Sequence, residues 1–181
     1  KLYDENDFVV MYNGAIVQNT KGDKILYDKP LSLDAYKELY ELSKEFDVHV
    51  HALTKSDVHT PQYNPYTEVE SVKNDIPVIE GPVDEVSDQA KIVKVMFVDD
   101  PQKLDYISSH LPEWVKEKYS ILRSTPIFLE FLNKDANKGI GVSVVAKEFG
   151  IKPEEVICIG DAGNDIDMIK YAGLGVAMGN A

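Results

Sequence analysis

Asp161, Asn164 and Asp165 are spaced so that their side chains could serve one ligand. Asp161 follows the short apolar run Val156-Ile157-Cys158-Ile159, a pattern that predicts a strand buried on both faces of a parallel sheet. Open α/β sheets bind ligands beyond the carboxyl ends of their strands, which is where Asp161 would stand. Gly163 and Asn164 permit a tight turn. Asp165 then opens an apolar-periodic segment through Ile166, Ile169 and Tyr171 that Gly173 closes. That predicts a short helix with a carboxylate at its start, where the helix dipole favours negative charge. Two carboxylates and an amide facing one pocket suit Mg²⁺ and a phosphate, because Mg²⁺ takes one or two carboxylates and completes its shell with water and phosphate oxygens. The same residue types also cap strands and helices, and spacing alone does not separate the two roles.

Two further residues draw notice. Lys138 begins a helical pattern with Val142, Val145, Ala146 and Phe149 on one face and Gly150 at the end. A lysine at a helix start opposes the dipole, and local rules tend to be broken at functional sites. Asn13 ends the apolar run Phe8-Val9-Val10-Met11-Tyr12 and is by itself a turn former. His49 and His51 share one face of a strand pattern from Val48 to Leu53. With no cysteine or third histidine nearby, they read as sheet-surface residues and not as metal ligands.

The elements that would position these groups follow from periodicity. Residues 15–18 and 24–27 flank a Gly-containing loop and predict a hairpin. Ser32 is a plausible cap for a helix to Phe46. A turn-rich stretch from Asp57 to Pro65 precedes a short helix around Tyr66 to Lys73, and Pro77 demotes Ile76 to Ile79 to an edge strand or loop. Lys91 to Val98 returns to strand character, and Pro101 starts a helix through Leu104, Ile107 and Leu111. Ile121-Leu122 and Ile127 to Leu132 are strands, as is Gly173 to Met178. The middle of the chain thus reads as an α+β arrangement.

Composition narrows the classes. A net charge of −12 argues against nucleic acid or an anionic membrane as partner. It leaves room for a phosphorylated small molecule, because a bound Mg²⁺ reverses the local charge. No run is long and apolar enough to span a bilayer, and a single cysteine, Cys158, fits a reducing cytoplasm.

Gly160-Asp161 through Asn164-Asp165, followed by Asp167-Met168, resembles the fourth motif of the haloacid dehalogenase-like (HAD) phosphatases, in particular the Cof-type branch. Tyr12-Asn13-Gly14-Ala15, Asn137-Lys138-Gly139 and Ile151-Lys152-Pro153-Glu154-Glu155 match in the same order, so the resemblance covers essentially the whole chain. It implies an α/β, Rossmann-like core, here incomplete, formed by residues 1–27 and 127–181. An inserted α+β cap over residues 28–126 would close on the site and choose the substrate. It implies a Mg²⁺-dependent hydrolase of sugar phosphates and similar phosphomonoesters, acting through an aspartyl-phosphate. In that reading Asp161 ligates Mg²⁺ and Asp165 does so directly or through a water, Asn164 and Asn13 bind phosphate, and Lys138 steadies the phosphoryl group.

The family's first motif, Asp-x-Asp-Gly-Thr, and the Ser or Thr of its second are not found at the expected places in this sequence. Roughly 55–70 residues of a family member, including the nucleophile and central core strands, are expected to be absent before Lys1. Strands at 8–12, 156–159 and 175–178 would then remain, with a gap between the first and the other two, and leave unpaired edges. Two alternatives stay open: a non-catalytic phosphate- or metal-binding fragment, and a phosphomutase relative that uses the same phosphoaspartate.

Overall fold

The computed structural model describes Asp4 and residues 7–180. The chain is mixed α/β and divides into two compact units, Lys1–Lys29 with Lys134–Ala181, and Pro30–Asn133.

The first unit opens with a three-stranded antiparallel sheet: β1 (Phe8–Met11), β2 (Ile16–Asn19) and β3 (Ile25–Asp28), in that order. The predicted hairpin is the β2–β3 pair. Asn19 closes it: its Oδ1 accepts from the backbone N–H of Gly22 and Lys24, and its Nδ2 donates to Asp23. A turn at Tyr12–Gly14 joins β1 to β2.

The second unit is a six-stranded mixed sheet with helices. Its elements are α1 (Leu33–Glu45), β4 (His49–Leu53), β5 (Val58–Thr60), α2 (Pro65–Asn74), β6 (Val78–Glu80), β7 (Lys94–Val98), α3 (Pro101–His110), α4 (Glu113–Lys118), β8 (Tyr119–Thr125) and β9 (Phe128–Asn133). The strand order is β6-β5-β4-β7-β9-β8, with only β5–β6 parallel. Ser32 caps α1 as expected, accepting from the Ala35 amide. Strand β5 falls in the stretch read as turns. Its three residues are too few to show alternation, and pairing with β4 and β6 is what makes them a strand.

Alternation sorts the side chains of this sheet. Val50 and Ala52 of β4, Val95 and Phe97 of β7, and Leu129 and Phe131 of β9 join Tyr36, Leu39, Leu104 and Ile107 in one apolar core. The Phe97 and Phe131 rings meet edge to face at 4.7 Å. The intervening residues include His51, Lys94 and Glu130, which form a buried polar layer with Thr67 and Glu70 of α2. Lys94 Nζ lies 2.9 Å from Glu70 and 2.8 Å from Glu130, and Glu130 also accepts from Ser124. His51 is wholly buried, between Thr67 Oγ1 and Met96 Sδ, and burial holds its ring neutral with a pKa near 3. It lies in the sheet as expected, but not on its surface, because α2 packs over it.

The chain then returns to the first unit with α5 (Lys138–Glu148), β10 (Ile157–Gly160), α6 (Ile166–Tyr171) and β11 (Leu174–Ala177). Helix α5 packs on the three-stranded sheet and on α6. Strands β10 and β11 form a parallel pair.

Three expectations are corrected. The break between core and cap was set at 126/127, but β9 pairs with both β7 and β8, so the second unit runs to Asn133. The strand expected over 8–12 ends at Met11; it lies apart from those at 156–159 and 175–178, as expected, and among the described residues it pairs with β2 alone, because the tight Tyr12–Gly14 turn folds the two together. Strand β10 was expected to be buried on both faces. Cys158 is covered, but Ile157 and Ile159 are 62% and 61% exposed, because α6 packs against the pair and no described residue covers their side of it.

The Lys94 cluster makes a prediction about this unit. Lys94→Met would leave two buried carboxylates without their cation and cost about 3–5 kcal/mol. Urea unfolding at neutral pH measures it, and a loss below about 1 kcal/mol would mean that the carboxylates do not depend on the lysine.

Candidate active site

The predicted residues meet in the first unit, and a buried carboxylate ties them together. Asp165 is 4% exposed. Its Oδ1 accepts from Lys138 Nζ at 2.5 Å, and its Oδ2 accepts from the backbone amides of Asp161 at 3.0 Å and Ala162 at 3.1 Å. The tight turn after β10 is therefore pinned from below by the residue that ends it. Burial alone would raise the Asp165 pKa, but the Lys138 ammonium and the two backbone N–H groups outweigh it and hold the carboxyl below its ordinary 3.8.

Glycine at position 160 makes this fold-back possible. A Cβ there would stand 2.3 Å from Asp165 Cβ and 2.8 Å from its Oδ2. The helix predicted to begin at Asp165 is a 3₁₀ turn, Gly163–Asp165, leading into α6 at Ile166.

Lys138 is the first residue of α5, as the pattern indicated. Asn137 caps that helix, its Oδ1 accepting from the Ile140 amide at 2.8 Å. The poor match between a lysine and a helix start is relieved by the Asp165 carboxylate. The ammonium has three protons and gives one to Asp165. Its side chain remains one-third exposed, so the other two can reach a ligand.

Asn13 arrives from the other side. Tyr12, Asn13 and Gly14 all have left-handed backbones, with φ of 49°, 54° and 93°. The strain is tolerable for Asn and Gly and is a cost for Tyr, of the kind that clusters at functional sites. Gly14 lies so close to the α5 cap that a Cβ would fall 2.0 Å from the Asn137 carbonyl oxygen. The turn is thus pressed against the start of the lysine helix, and Asn13 Oδ1 accepts from Asn164 Nδ2 at 3.2 Å. One Asn164 proton remains.

Asp161 behaves differently from Asp165. Its side chain is exposed, and Oδ2 accepts from Asn180 Nδ2 at 3.2 Å. Both carboxylates are expected to serve one metal ion, Asp165 directly or through a water, and they differ in what their oxygens already hold. Asp165 Oδ2 already accepts two hydrogen bonds and its Oδ1 holds Lys138, whereas Asp161 Oδ1 has no partner among the described residues. Among those residues no three His, Cys, Asp or Glu side chains gather. A Mg²⁺ ion still fits, since it needs as little as one protein carboxylate when phosphate and water fill its shell. Asp161 is the residue placed to offer it. Sequence spacing missed the part played by Gly14 and by the Asp161 and Ala162 amides; the Asn-Gly pair after β1 was the only signal of the first.

The Asp165 geometry carries a pH dependence. Asp165→Asn removes the charge partner of Lys138 and sets an amide donor against other donors, costing about 1–3 kcal/mol at pH 7. Because the folded pKa lies below the ordinary value, this contribution is complete above 3.8 and is lost as the pH falls through the folded value. Urea midpoints of wild type and variant should differ at pH 7 and converge in acid. A difference that does not shrink at all as the pH is lowered below 3.8 would deny the carboxylate this role.

The haloacid dehalogenase-like hydrolase family matches residues 1–181. YxeH of Bacillus subtilis (strain 168), provisionally named a phosphatase, is 41% identical over 99% of this chain and 67% of its own length. YitU of the same organism, named a 5-amino-6-(5-phospho-D-ribitylamino)uracil phosphatase, is 28% identical over 95% of the chain and 65% of its own length. A crystal structure of a haloacid dehalogenase-like hydrolase from Bacteroides thetaiotaomicron superposes with a TM-score of 0.81 at 31% identity, covering 97% of this chain and 66% of that one. The chain thus spans about two thirds of the length of these relatives. Family match, sequence identity and fold agree with the site's geometry: this chain belongs to the haloacid dehalogenase-like hydrolases.

Proposed function

We propose that this chain supplies the phosphate- and metal-binding half of a Mg²⁺-dependent phosphomonoester hydrolase acting on sugar phosphates and related metabolites. The observation that carries the reading is the convergence of Lys138, Asp165, Asn164 and Asn13 around one turn, with Asp161 exposed at its start.

Each residue has a definite task in this reading. Asp165 holds the Lys138 ammonium in place. Lys138 directs its remaining protons at the phosphoryl oxygens, where charge builds as the ester bond breaks. Asn164, propped by Asn13, offers an amide N–H to the same group. The Gly160–Asp165 turn keeps Asp161 at the rim, and Mg²⁺ bound there would neutralise phosphate charge. Asp165 is then a positioning residue, not a direct metal ligand.

The Asp-x-Asp-Gly-Thr nucleophile motif is not among these 181 residues. In this reading the aspartate that forms the phosphoenzyme lies in the part of the relatives' length that this chain does not span. The second unit is assigned the part of a cap, and the cytoplasm is the compartment that supplies such substrates. The reading extends the family membership and is favoured by the phosphatase names of YxeH and YitU.

The test uses the complete polypeptide with its nucleophile. Asp161→Asn and Lys138→Ala should each lower Mg²⁺-dependent release of phosphate from a sugar phosphate by about 10²–10³-fold. Both variants should still unfold cooperatively. Near-normal turnover in either would remove that residue from the chemistry, and wild-type protein that binds phosphate without turning over a substrate panel would favour the non-catalytic reading.

A further inference from the structure

The second unit holds a cavity of about 510 Å³ beside the β4–β5 turn, walled by that turn, the end of β6 and the segment leading to β7. His59 stands in its wall, and the hydrogen bonds around it favour one ring tautomer. The buried Tyr36 hydroxyl has one proton and gives it to the His59 carbonyl oxygen at 3.1 Å. The same hydroxyl oxygen lies 3.3 Å from His59 Nδ1. With its own proton committed, it can only accept there, so Nδ1 bears the ring hydrogen and Nε2 keeps its lone pair. Nε2 has no hydrogen-bond partner among the described residues and is not sealed from solvent. Burial lowers the ring's pKa against the opposing pull of Asp57 and Glu85, which keeps the lone pair available at neutral pH.

A second acceptor faces the same gap. A Cβ placed on Gly81 would lie 3.8 Å from His59 Nε2 and 3.8 Å from Glu85 Oε2. The glycine therefore leaves open space flanked by a neutral imidazole lone pair and a carboxylate. Carboxylates from Asp57, Glu80 and Glu85 outnumber the ammonium groups of Lys55 and Lys91 around the cavity, and Ile79 and Val86 give it an apolar wall. A metal ion that needs three or more protein ligands, as zinc does, is disfavoured, since no three His, Cys, Asp or Glu side chains are arranged to hold one among the described residues. Two acceptors and an acidic lining also disfavour an anion.

We propose that this cavity binds a small organic amine, whose ammonium group donates to His59 Nε2 and to the Glu85 carboxylate while its hydrocarbon part lies against Ile79 and Val86. An ammonium has donors for both acceptors and the charge to match the lining; an alcohol of the same shape has one donor and no charge. The site lies wholly within the second unit and does not rest on the phosphatase reading.

The probe is isopentylamine, titrated into the complete protein and followed by heteronuclear NMR of the histidine rings, with isopentanol as the uncharged control. The expected result is a saturable shift at His59 Nε2 with the amine and a weaker response to the alcohol. Glu85→Gln should weaken amine binding about tenfold or more. Gly81→Ala should weaken it comparably, because the added methyl enters the gap at ordinary contact distances and meets no steric clash. That variant guards against misfolding as an explanation, since its remaining histidine signals should stay in place. A shift that does not saturate, equal binding of the alcohol, or unchanged affinity in both variants would overturn the proposal.

Discussion

The candidate site depends on one charge-assisted hydrogen bond, from Lys138 to the buried carboxylate of Asp165. Either charge alone would be expensive in its position. The lysine opens a helix whose dipole repels it, and the aspartate sits where burial penalises its ionised form. Together they relieve each other, and the second carboxylate oxygen of Asp165 is free to hold the backbone at Asp161 and Ala162. Removing the pair would release the lysine and the turn at once.

Close backbone approaches enforce this arrangement. The absent Cβ at Gly160 lets Asp165 fold back beneath β10, and the one at Gly14 lets the strained turn rest on the cap of α5. Elements from both ends of the chain are thereby locked around Asn13, Asn164 and Lys138. The strain at Tyr12 and Asn13 persists because β1, β2 and α5 hold both sides of the turn. The second unit solves a different problem. Its sheet buries an apolar face against α1 and α3 and a polar one against α2, where Lys94 offsets two carboxylates that could not otherwise be buried.

Much of this was legible in the sequence. The caps at Ser32 and Asn137, the apolar stripe of α1 and the parallel partners around the aspartate turn all follow from local pattern. Lys138 drew attention through its misfit with the helix dipole, and that misfit proved to be half of an ion pair. Other features left no local trace. Strand β5 exists through its neighbours, and β9 joins the second unit because β7 and β8 both bond to it. Nothing in a run of alternating or apolar residues says which sheet will claim it.

By itself, the sequence determined the residue types of the candidate site and their order, because carboxylates, amides and a lysine have chemical properties independent of folding. It also determined where helices begin, since capping is local. Only the tertiary structure decided how the two aspartates divide the work. Asp161 and Asp165 look equivalent on paper, yet one is exposed and the other is consumed by Lys138 and two amides. The reason is that spacing along a chain sets which groups can be neighbours, while the direction in which a carboxylate points is set by the donors brought to it from elsewhere.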